Sequence, residues 1–425
     1  MKAVVLAAGE GVRLRPLTFT RPKHLIPVGG EPVLEHVLNS IKNAGIHEAL
    51  IVVHFMKDKI QRFFGDGSKY GMKLEYVTQH EMKGTADAVG FAKPYVKEDF
   101  LLLYGDVFTT SDVVKHVIQV HKKESPAATM AVVPVEHPEH YGMVKLDDSH
   151  VTEILEKPPM EPASTNLANT GVYVFSVEIF EKIEQTLPSS RGELEITDSL
   201  SLFLKEKRLI SGVRISKDEW LDIGRMWDLL EANCRVLKSV EPAVNGQIEY
   251  GAHLVGPVVV AERARVRSGA YIQGPVFIDE GSDVGPNCFI RPYTSMGKNV
   301  RIGNACEIKN SIIMDGTHIG HLSYVGDSVV GENCNLGAGT VVANLRLDEK
   351  TVKMQVKNEI LDSGRKKFGA VLGDQVKTGI NALFMPGVKV GCNSWIGANV
   401  VVYRDVPSNR FLILKQKIEE RELTK

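Results

Sequence analysis

Val284-Gly-Pro-Asn-Cys-Phe-Ile290-Arg-Pro-Tyr-Thr-Ser-Met296-Gly-Lys-Asn-Val-Arg-Ile302-Gly-Asn-Ala-Cys-Glu-Ile308 returns an aliphatic side chain at every sixth position. The register runs back without a slip through Ile278, Ile272, Val266, Val260 and Leu254 to Ile248. After one short step it resumes at Ile313, Ile319 and Val325, then at Val330, Leu336 and Val342. It returns at Leu372, Phe384, Val390, Ile396 and Val402, with Thr378 in the one polar slot. A repeat this short, sustained this long, means a solenoid. Glycine commonly follows the aliphatic residue, as at Gly285, Gly297, Gly303, Gly320 and Gly326, and a small residue such as Cys288, Thr294 or Cys306 comes four after it. The pattern predicts an inward aliphatic side chain, a small filler beside it, and glycine at a corner whose backbone it tolerates. Three hexads make one triangular coil, so residues 18 apart stack. The spacing does not give the hand of the coil. The repeat divides the chain into two machines and predicts that the second works as an oligomer.

At 425 residues the chain is long enough for two domains or more. Hydrophobic residues at 43% and charged residues at 24% are ordinary for a soluble protein. A net charge of -1 argues against bulk nucleic-acid binding. No apolar run is long enough to span a bilayer. Met1-Lys-Ala-Val-Val-Leu6 leads straight into a glycine loop and reads as a core strand, not a signal peptide. Five scattered cysteines include no CxxC pair, so zinc is not expected. Cys288 and Cys306 are one coil apart and would stack, and they read as reduced fillers in a cytoplasmic protein.

The first half alternates. Residues 2–7, 48–53, 73–77 and 99–104 are short apolar runs, with helical patterns over 32–44, 57–64, 85–92 and 112–123. This predicts a mostly parallel sheet covered on both faces. Further strands are expected at 127–135, 141–146, 151–156 and 170–176, and a connecting helix from Leu221 to Lys238. The expected domains are 1–225, a connector at 226–244, the solenoid at 245–405, and a short C-terminal helix or tail at 406–425.

The strongest local motif is Leu6-Ala-Ala8-Gly9-Glu-Gly11-Val-Arg13-Leu-Arg-Pro-Leu-Thr18, followed by Arg21-Pro-Lys23. A glycine loop after the first strand lets backbone N–H groups approach phosphate. It is neither GxGxxG nor a P-loop. Arg13 and Lys23 bracket it as cations suited to a triphosphate. This block resembles the sugar-1-phosphate nucleotidylyltransferases, and the resemblance continues in order. Gln79 and Gly84-Thr85 match that family's base-reading pair. Tyr104-Gly105-Asp106 ends a strand where the family places a magnesium ligand, and Trp220-Leu-Asp222 supplies the second carboxylate. Tyr141-Gly142, Glu156-Lys157-Pro158 and Asn169-Thr-Gly171 match its sugar pocket. One departure bears on the nucleobase. Bacterial uridylyltransferases that feed cell-wall synthesis use Asn where this chain has Asp222, and the loop is more similar to thymidylyl and glucose-uridylyl branches. UTP and dTTP therefore both stay open, as do glucose-1-phosphate and N-acetylglucosamine-1-phosphate.

The resemblance implies in-line attack of a sugar-1-phosphate oxygen on the α-phosphorus of a nucleoside triphosphate, with pyrophosphate leaving. Mg²⁺ on Asp106 and Asp222 would neutralise the gathered phosphates. Arg13 and Lys23 would hold the triphosphate and Lys157 the incoming phosphate. No general base is needed, because the attacking phosphate is already ionised, so catalysis is positioning and electrostatics.

In the solenoid, Ile290-Arg291-Pro, Glu307-Ile-Lys309 and Ile319-Gly-His321-Leu-Ser-Tyr324 are followed by Asn335-Leu-Gly-Ala338 and Asn344. A lone corner histidine is ordinarily just solvated. Here the cations Arg291 and Lys309 could hold a sugar phosphate, and an imidazole near pKa ~6.5 suits removal of a proton from an attacking amine. These residues match the acetyltransferase half of the bifunctional enzymes that make N-acetylglucosamine-1-phosphate and then its UDP-sugar. The whole chain is most similar to the archaeal-type bifunctional nucleotidylyltransferase/acetyltransferases. The resemblance implies a left-handed β-helix, acetyl-CoA as co-substrate, glucosamine-1-phosphate or galactosamine-1-phosphate as acceptor, and a site between adjacent chains of a homotrimer. Departures fall at Leu345, where the family has tyrosine, at Ile380 for a serine near pantetheine, and at Lys415 for an arginine on the distal CoA phosphate. Ala398 is retained. The gap between Val342 and Leu372 reads as a protruding loop or hairpin that returns Lys367 to the substrate phosphate. The alternative is a monofunctional thymidylyl- or uridylyltransferase whose solenoid serves only to trimerise.

Overall fold

Short β-branched runs buried on both faces and amphipathic helices between them can satisfy their backbones and hide their apolar faces only as a sheet layered with helices. The computed structural model describes residues 1–156 and 165–423. Two units are separated by their contacts: residues 1–11, 21–26 and 31–224 form the first, and residues 12–20, 27–30 and 225–425 the second.

The first unit contains β1 (Ala3–Ala7), α1 (Val33–Asn43), β2 (Glu48–Val53), α2 (Lys57–Phe64), β3 (Lys73–Thr78), α3 (Thr85–Gly90), β4 (Phe100–Tyr104), β5 (Val107–Thr109) and α4 (Ser111–Glu124). It continues with β6 (Ala128–Pro134), β7 (Gly142–Asp147), β8 (His150–Glu156), β9 (Leu167–Phe175), α5 (Ile179–Gln185), α6 (Ile196–Lys205), β10 (Ile210–Arg214) and β11 (Trp220–Asp222). The nine-stranded sheet has the order β3-β2-β1-β4-β9-β6-β10-β8-β7. β3, β2, β1 and β4 are parallel, as the alternation predicts. Beyond β4 the sheet is mixed. β9 runs antiparallel to both β4 and β6, and β7 and β8 form an antiparallel hairpin. The expectation of a mostly parallel sheet fails there because a strand can enter a sheet after a distant excursion, and periodicity reports no direction. α5, α6 and β10 are not signalled by the apolar runs read above.

The second unit opens with α7 (Met226–Lys238). The expected helix therefore begins five residues late, because Leu221 lies in β11 against Phe108. Three stacked parallel sheets follow, as in the left-handed hexapeptide β-helix. Their first strand, Ala243–Val244, already pairs with Val259 and Val260. In each coil the chain visits a first face (Val258–Val260, Val276–Ile278, Thr294–Met296 and so on), a second face (Arg265–Val266, Asp283–Val284, Arg301–Asn304) and a third face (Tyr271–Gln273, Phe289–Ile290, Glu307–Lys309). Ile302 stacks on Val284 and Ile319 on Ile302, and the hexad side chains fill a continuous buried core. α7 covers part of the first face: Asn233 accepts from Ser295 Oγ at 2.7 Å and donates to the Tyr293 carbonyl at 2.9 Å. The insertion after Val342 forms a hairpin, Lys353–Val356 against Glu359–Asp362, that buries Val352, Met354 and Val356. The C-terminal helix expected at 406–425 is replaced by one more strand. Phe411 and Leu412 pair with Trp395 and Ile396, so the solenoid continues past residue 405, and no helix follows among the described residues.

The role expected for the hexad glycines is also corrected. Left-handed backbone falls three residues after the aliphatic position, as at Asn287, Ala305, Leu322 and Asn333. Several glycines directly after the aliphatic residue answer to crowding instead, although Gly285 takes φ 111 and Gly320 has open space. A Cβ on Gly303 would lie 1.8 Å from the Gly320 carbonyl oxygen, and one on Gly379 would lie 2.6 Å from the Ala398 nitrogen. Adjacent coils approach too closely there for any side chain.

Candidate functional sites

At the end of β4 the backbone N–H of Gly105 donates to the Leu6 carbonyl at 2.8 Å, which fixes Asp106 beside the loop after β1. Lys23 Nζ donates to the Asp106 carboxylate. β11 pairs antiparallel with β5 so that Asp222 lies opposite Val107, and the Ile223 N–H donates to the Asp106 carbonyl at 3.0 Å. The two carboxylates separated by half the first unit are thus brought to neighbouring strands, with a cation on one of them. Gly9 lies against Lys23, where a Cβ would make only an ordinary contact with Cε at 3.7 Å. Ala8 is buried and Gly11 takes φ 65. Arg13 lies exposed on a 3₁₀ turn counted with the second unit.

His24 is a feature that motif reading missed. It is 1% exposed, with neither ring nitrogen hydrogen-bonded. A Cβ on Gly105 would meet its ring at 3.0 Å. Burial, and then the Lys23 charge, push its pKa down to about 3, so it is neutral beside the Lys23–Asp106 pair.

Gln79 is 2% exposed, and its amide nitrogen donates to Asp87 Oδ2 at 2.7 Å, which orients the group without leaving it idle. Gly84, at φ 122, would place a Cβ 2.4 Å from the Leu194 carbonyl, and Thr85 Oγ1 accepts from the Ile196 N–H at 2.9 Å. Glycine and threonine here dock α3 against the start of α6.

Gly142, Glu156 and Asn169 meet on the β7–β8–β9 edge. A Cβ on Gly142 would lie 2.9 Å from the Glu156 carboxylate. Glu156 accepts from Thr197 Oγ1 at 2.9 Å and from Arg191 at 3.0 Å. Asn169 donates to Tyr173 Oη across a register break in β9. Burial, and then Glu156, raise Glu195 to about 6. Arg191 and Glu195 are functional candidates the motifs did not find; they meet Glu156 only through space. Lys157 lies outside the described residues.

In the solenoid, the corner between third and first faces gathers a second group. Arg291 donates to Glu307 at 2.8 Å. Lys309 Nζ donates to Asp327 at 3.0 Å, and Asn344 Nδ2 lies 3.1 Å from Tyr324 Oη and 2.5 Å from Asp327. Burial raises the Tyr324 pKa, helped by Asp327, so the phenol stays protonated. The Phe368 N–H donates to the Asn344 carbonyl, and Lys367 is bridged to Leu345, so the hairpin returns beside this group. His321 is exposed at the end of a second-face strand, three residues before Tyr324. Asn335 is exposed on the next coil but stacks on His318 rather than His321. Ala338 sits half-buried in the corner whose Gly339 N–H donates to the His321 carbonyl at 3.3 Å. Ala398 is exposed, next to Asn399, whose N–H donates to the Ile380 carbonyl, and Lys415 is exposed beyond the last strand. The five cysteines are free. Among the described residues no helix is long and apolar enough to cross a membrane, and no cluster of three or more His, Cys, Asp or Glu could hold a metal unaided.

A glycine loop, a cation and two carboxylates at the strand ends of an α/β sheet, joined to a hexapeptide solenoid, define a nucleotidyltransferase with a β-helical second half. Residues 2–239 match the nucleotidyl transferase family, and residues 272–383 match the GMPPB C-terminal domain. The chain is 44% identical over 424 residues to the bifunctional protein GlmU of Methanocaldococcus jannaschii, covering 100% of both. It is 39% identical to the bifunctional sugar-1-phosphate nucleotidylyltransferase/acetyltransferase of Sulfurisphaera tokodaii, covering 97% of this chain and 99% of that one. A solved glucose-1-phosphate thymidylyltransferase from Bacillus anthracis, described as putative in its own report, superposes with a TM-score of 0.52 at 30% identity, over 57% of this chain and 98% of that one. The chain belongs to the family of bifunctional sugar-1-phosphate nucleotidylyltransferase/acetyltransferases.

Proposed function

We propose that this enzyme acetylates glucosamine-1-phosphate in its solenoid and joins the product to a uridylyl group in its first unit, making UDP-N-acetylglucosamine. The observation that carries the first-unit reading is the meeting of Lys23, Asp106 and Asp222 at adjacent strand ends. Two carboxylates without a third protein ligand suit a magnesium ion that takes its other ligands from phosphate and water. Asp106 and Asp222 would hold it, and it would supply positive charge to the gathered phosphates. The glycine loop at Gly9 and Gly11 and the cations Arg13 and Lys23 bind and orient the triphosphate. Glu156, Asn169 and Gly142 shape the sugar pocket, with Lys157 on the sugar phosphate. The phosphate oxygen of the sugar forms the new P–O bond as the bond to pyrophosphate breaks.

In the solenoid, Arg291, Lys309, Asn344 and Lys367 hold the sugar phosphate. His321 takes one proton from the sugar ammonium, the freed amine attacks the acetyl-CoA carbonyl, and as the C–S bond breaks a second proton passes from the nitrogen to the leaving sulfur, giving the amide and the CoA thiol. Asn335, Ala338, Ala398 and Lys415 line the path of CoA. The third face leaves Tyr271, Val341 and Leu383 about two-fifths exposed in the single chain. Those exposed apolar side chains support a homotrimer with the acetyl-transfer site completed by the neighbouring copy. Reduced cysteines and the substrates support a cytoplasmic location.

Thiol release from acetyl-CoA with glucosamine-1-phosphate, with His321→Ala as control, tests the second activity. Release lost in the variant is the expected result. No release with either glucosamine-1-phosphate or galactosamine-1-phosphate would reduce the solenoid to an assembly element.

A further inference from the structure

Between Ile248 and Val402 the hexad register breaks at three consecutive corners. Ile308 to Ile313 and Val325 to Val330 are steps of five, and Val342 to Leu372 carries the hairpin. All three are corners between the third and first faces. The two shortened corners turn through Asn310 (φ 44) and Asp327 (φ 50). Shortening tucks the Asp327 side chain into the stack, where the residue is 3% exposed. Its carboxylate accepts from Lys309 at 3.0 Å, Asn310 at 2.6 Å and Asn344 at 2.5 Å. Gly326 keeps the space open: a Cβ there would lie 2.4 Å from Tyr324 Oη and 2.8 Å from Asn344 Nδ2.

We propose that Asp327 is a positioning residue for acetyl transfer, setting the Lys309 ammonium and the Asn344 amide where the sugar phosphate docks. The proposal rests on the reading that Lys309 and Asn344 face that phosphate. A lysine side chain loses rotamer freedom when it is fixed. An ion pair already in place removes that cost from the binding step. An ammonium has three donors, so one can stay on Asp327 while others reach a ligand. A corner needs no carboxylate for its backbone, since left-handed positions in this solenoid are filled by Asn at 287, 299, 310, 333, 381, 393 and 399. What asparagine cannot do is accept three N–H groups at once, because half of its amide is itself a donor.

Asp327→Asn is therefore the discriminating variant: it keeps the volume and the corner preference and removes the acceptor. The expected result is at least a ten-fold rise in KM for glucosamine-1-phosphate, with KM for acetyl-CoA and the rate of nucleotidyl transfer within two-fold of the parent. In a Lys309→Met background the same change should have a smaller effect, because one of its targets is gone. Asn310→Gly suits φ 44 and removes a single brace; a rise of about three-fold in the same KM is expected. A folded Asp327→Asn enzyme with an unmoved sugar-phosphate KM would overturn the proposal, and so would equal rises in both KM values, which is the signature of a general brace. Should Asp327→Asn not fold, an unmoved sugar-phosphate KM in Asn310→Gly overturns it. Full thiol release by both Lys309→Met and His321→Ala would instead mean that the site itself is misplaced, a different failure.

Discussion

On the proposed reading the two halves solve the same problem, holding phosphates beside a reacting atom, with opposite materials. In the first unit the charged groups come from far apart in the chain: Lys23, Asp106 and Asp222 meet because β1, β4, β5 and β11 end together. In the solenoid they come from successive coils: Arg291, Lys309, Tyr324 and Asn344 gather because the chain returns to the same corner each turn. The first arrangement depends on topology and the second on a period. A site of the first kind tolerates change elsewhere in the chain, whereas a site of the second kind is set by the spacing of its neighbours.

The sharpest break between the halves is functional. Asp106→Ala should abolish nucleotidyl transfer, a loss of 10³-fold or more read as pyrophosphate release, and leave thiol release from acetyl-CoA unchanged. His321→Ala should do the reverse, with a loss on the order of 10²–10⁴-fold. Loss of both activities in either variant would sink the two-site picture.

The next largest effect probes the period. Gly303→Ala sets a Cβ 1.8 Å from the Gly320 carbonyl, whereas Gly320→Ala meets nothing within 4 Å. The first should lower stability to denaturant by about 3 kcal/mol, and the second should leave it unchanged or raise it by up to about 1 kcal/mol. Equal effects would mean that the coils are not held at that spacing.

Acid should distinguish the first unit. His24 titrates at 6.5 in the unfolded chain and at about 3 when folded. Its contribution to stability is present above pH 6.5 and is lost as pH falls toward 3, because only the unfolded chain takes the proton. At pH 5 the loss is about 2 kcal/mol. His24→Leu should flatten the first unit's stability between pH 6.5 and pH 4, measured by chemical denaturation; an unchanged slope would show that the imidazole is hydrated. The smallest effect concerns the polar slot. Thr378 Oγ1 accepts from the Gly337 N–H at 2.8 Å and is 2.8 Å from Thr340 Oγ1. Thr378→Val should destabilise by about 1 kcal/mol, although it completes the aliphatic ladder.

Much of this was legible in the sequence because periodicity is local. The hexads from Ile248 to Val402 placed the solenoid strands, and the alternation in the first half placed β1 to β4 within a residue or two of their ends. Direction and pairing were not legible. Nothing in Leu167–Phe175 says that it slides between β4 and β6 antiparallel to both. The site residues that motifs missed share that cause. Arg191 reaches Glu156, and Asp327 reaches Lys309 and Asn344, only by contacts made in space. The five-residue steps were a visible signal for Asp327, since an irregularity in an otherwise strict repeat is where a special corner must be. The C-terminal stretch, expected as a short helix or tail over 406–425, holds no regular element over 413–423.

The hairpin between Val342 and Leu372 also bears on how the molecule is made. Elsewhere in the solenoid each strand pairs with one about a coil earlier, so a chain emerging from synthesis can add coils one at a time onto a finished edge. At this corner Val330 must wait for Leu372 before its edge is covered. A chain adding coils in order would pause there while the hairpin closes on itself, strand 353–356 against 359–362. The coils carrying Lys309 and Asp327 are laid down before the pause, and the Asn344 carbonyl meets the Phe368 N–H only as it ends. The second site is therefore completed late, after the first unit has left the ribosome and most of its supporting coils are already in place.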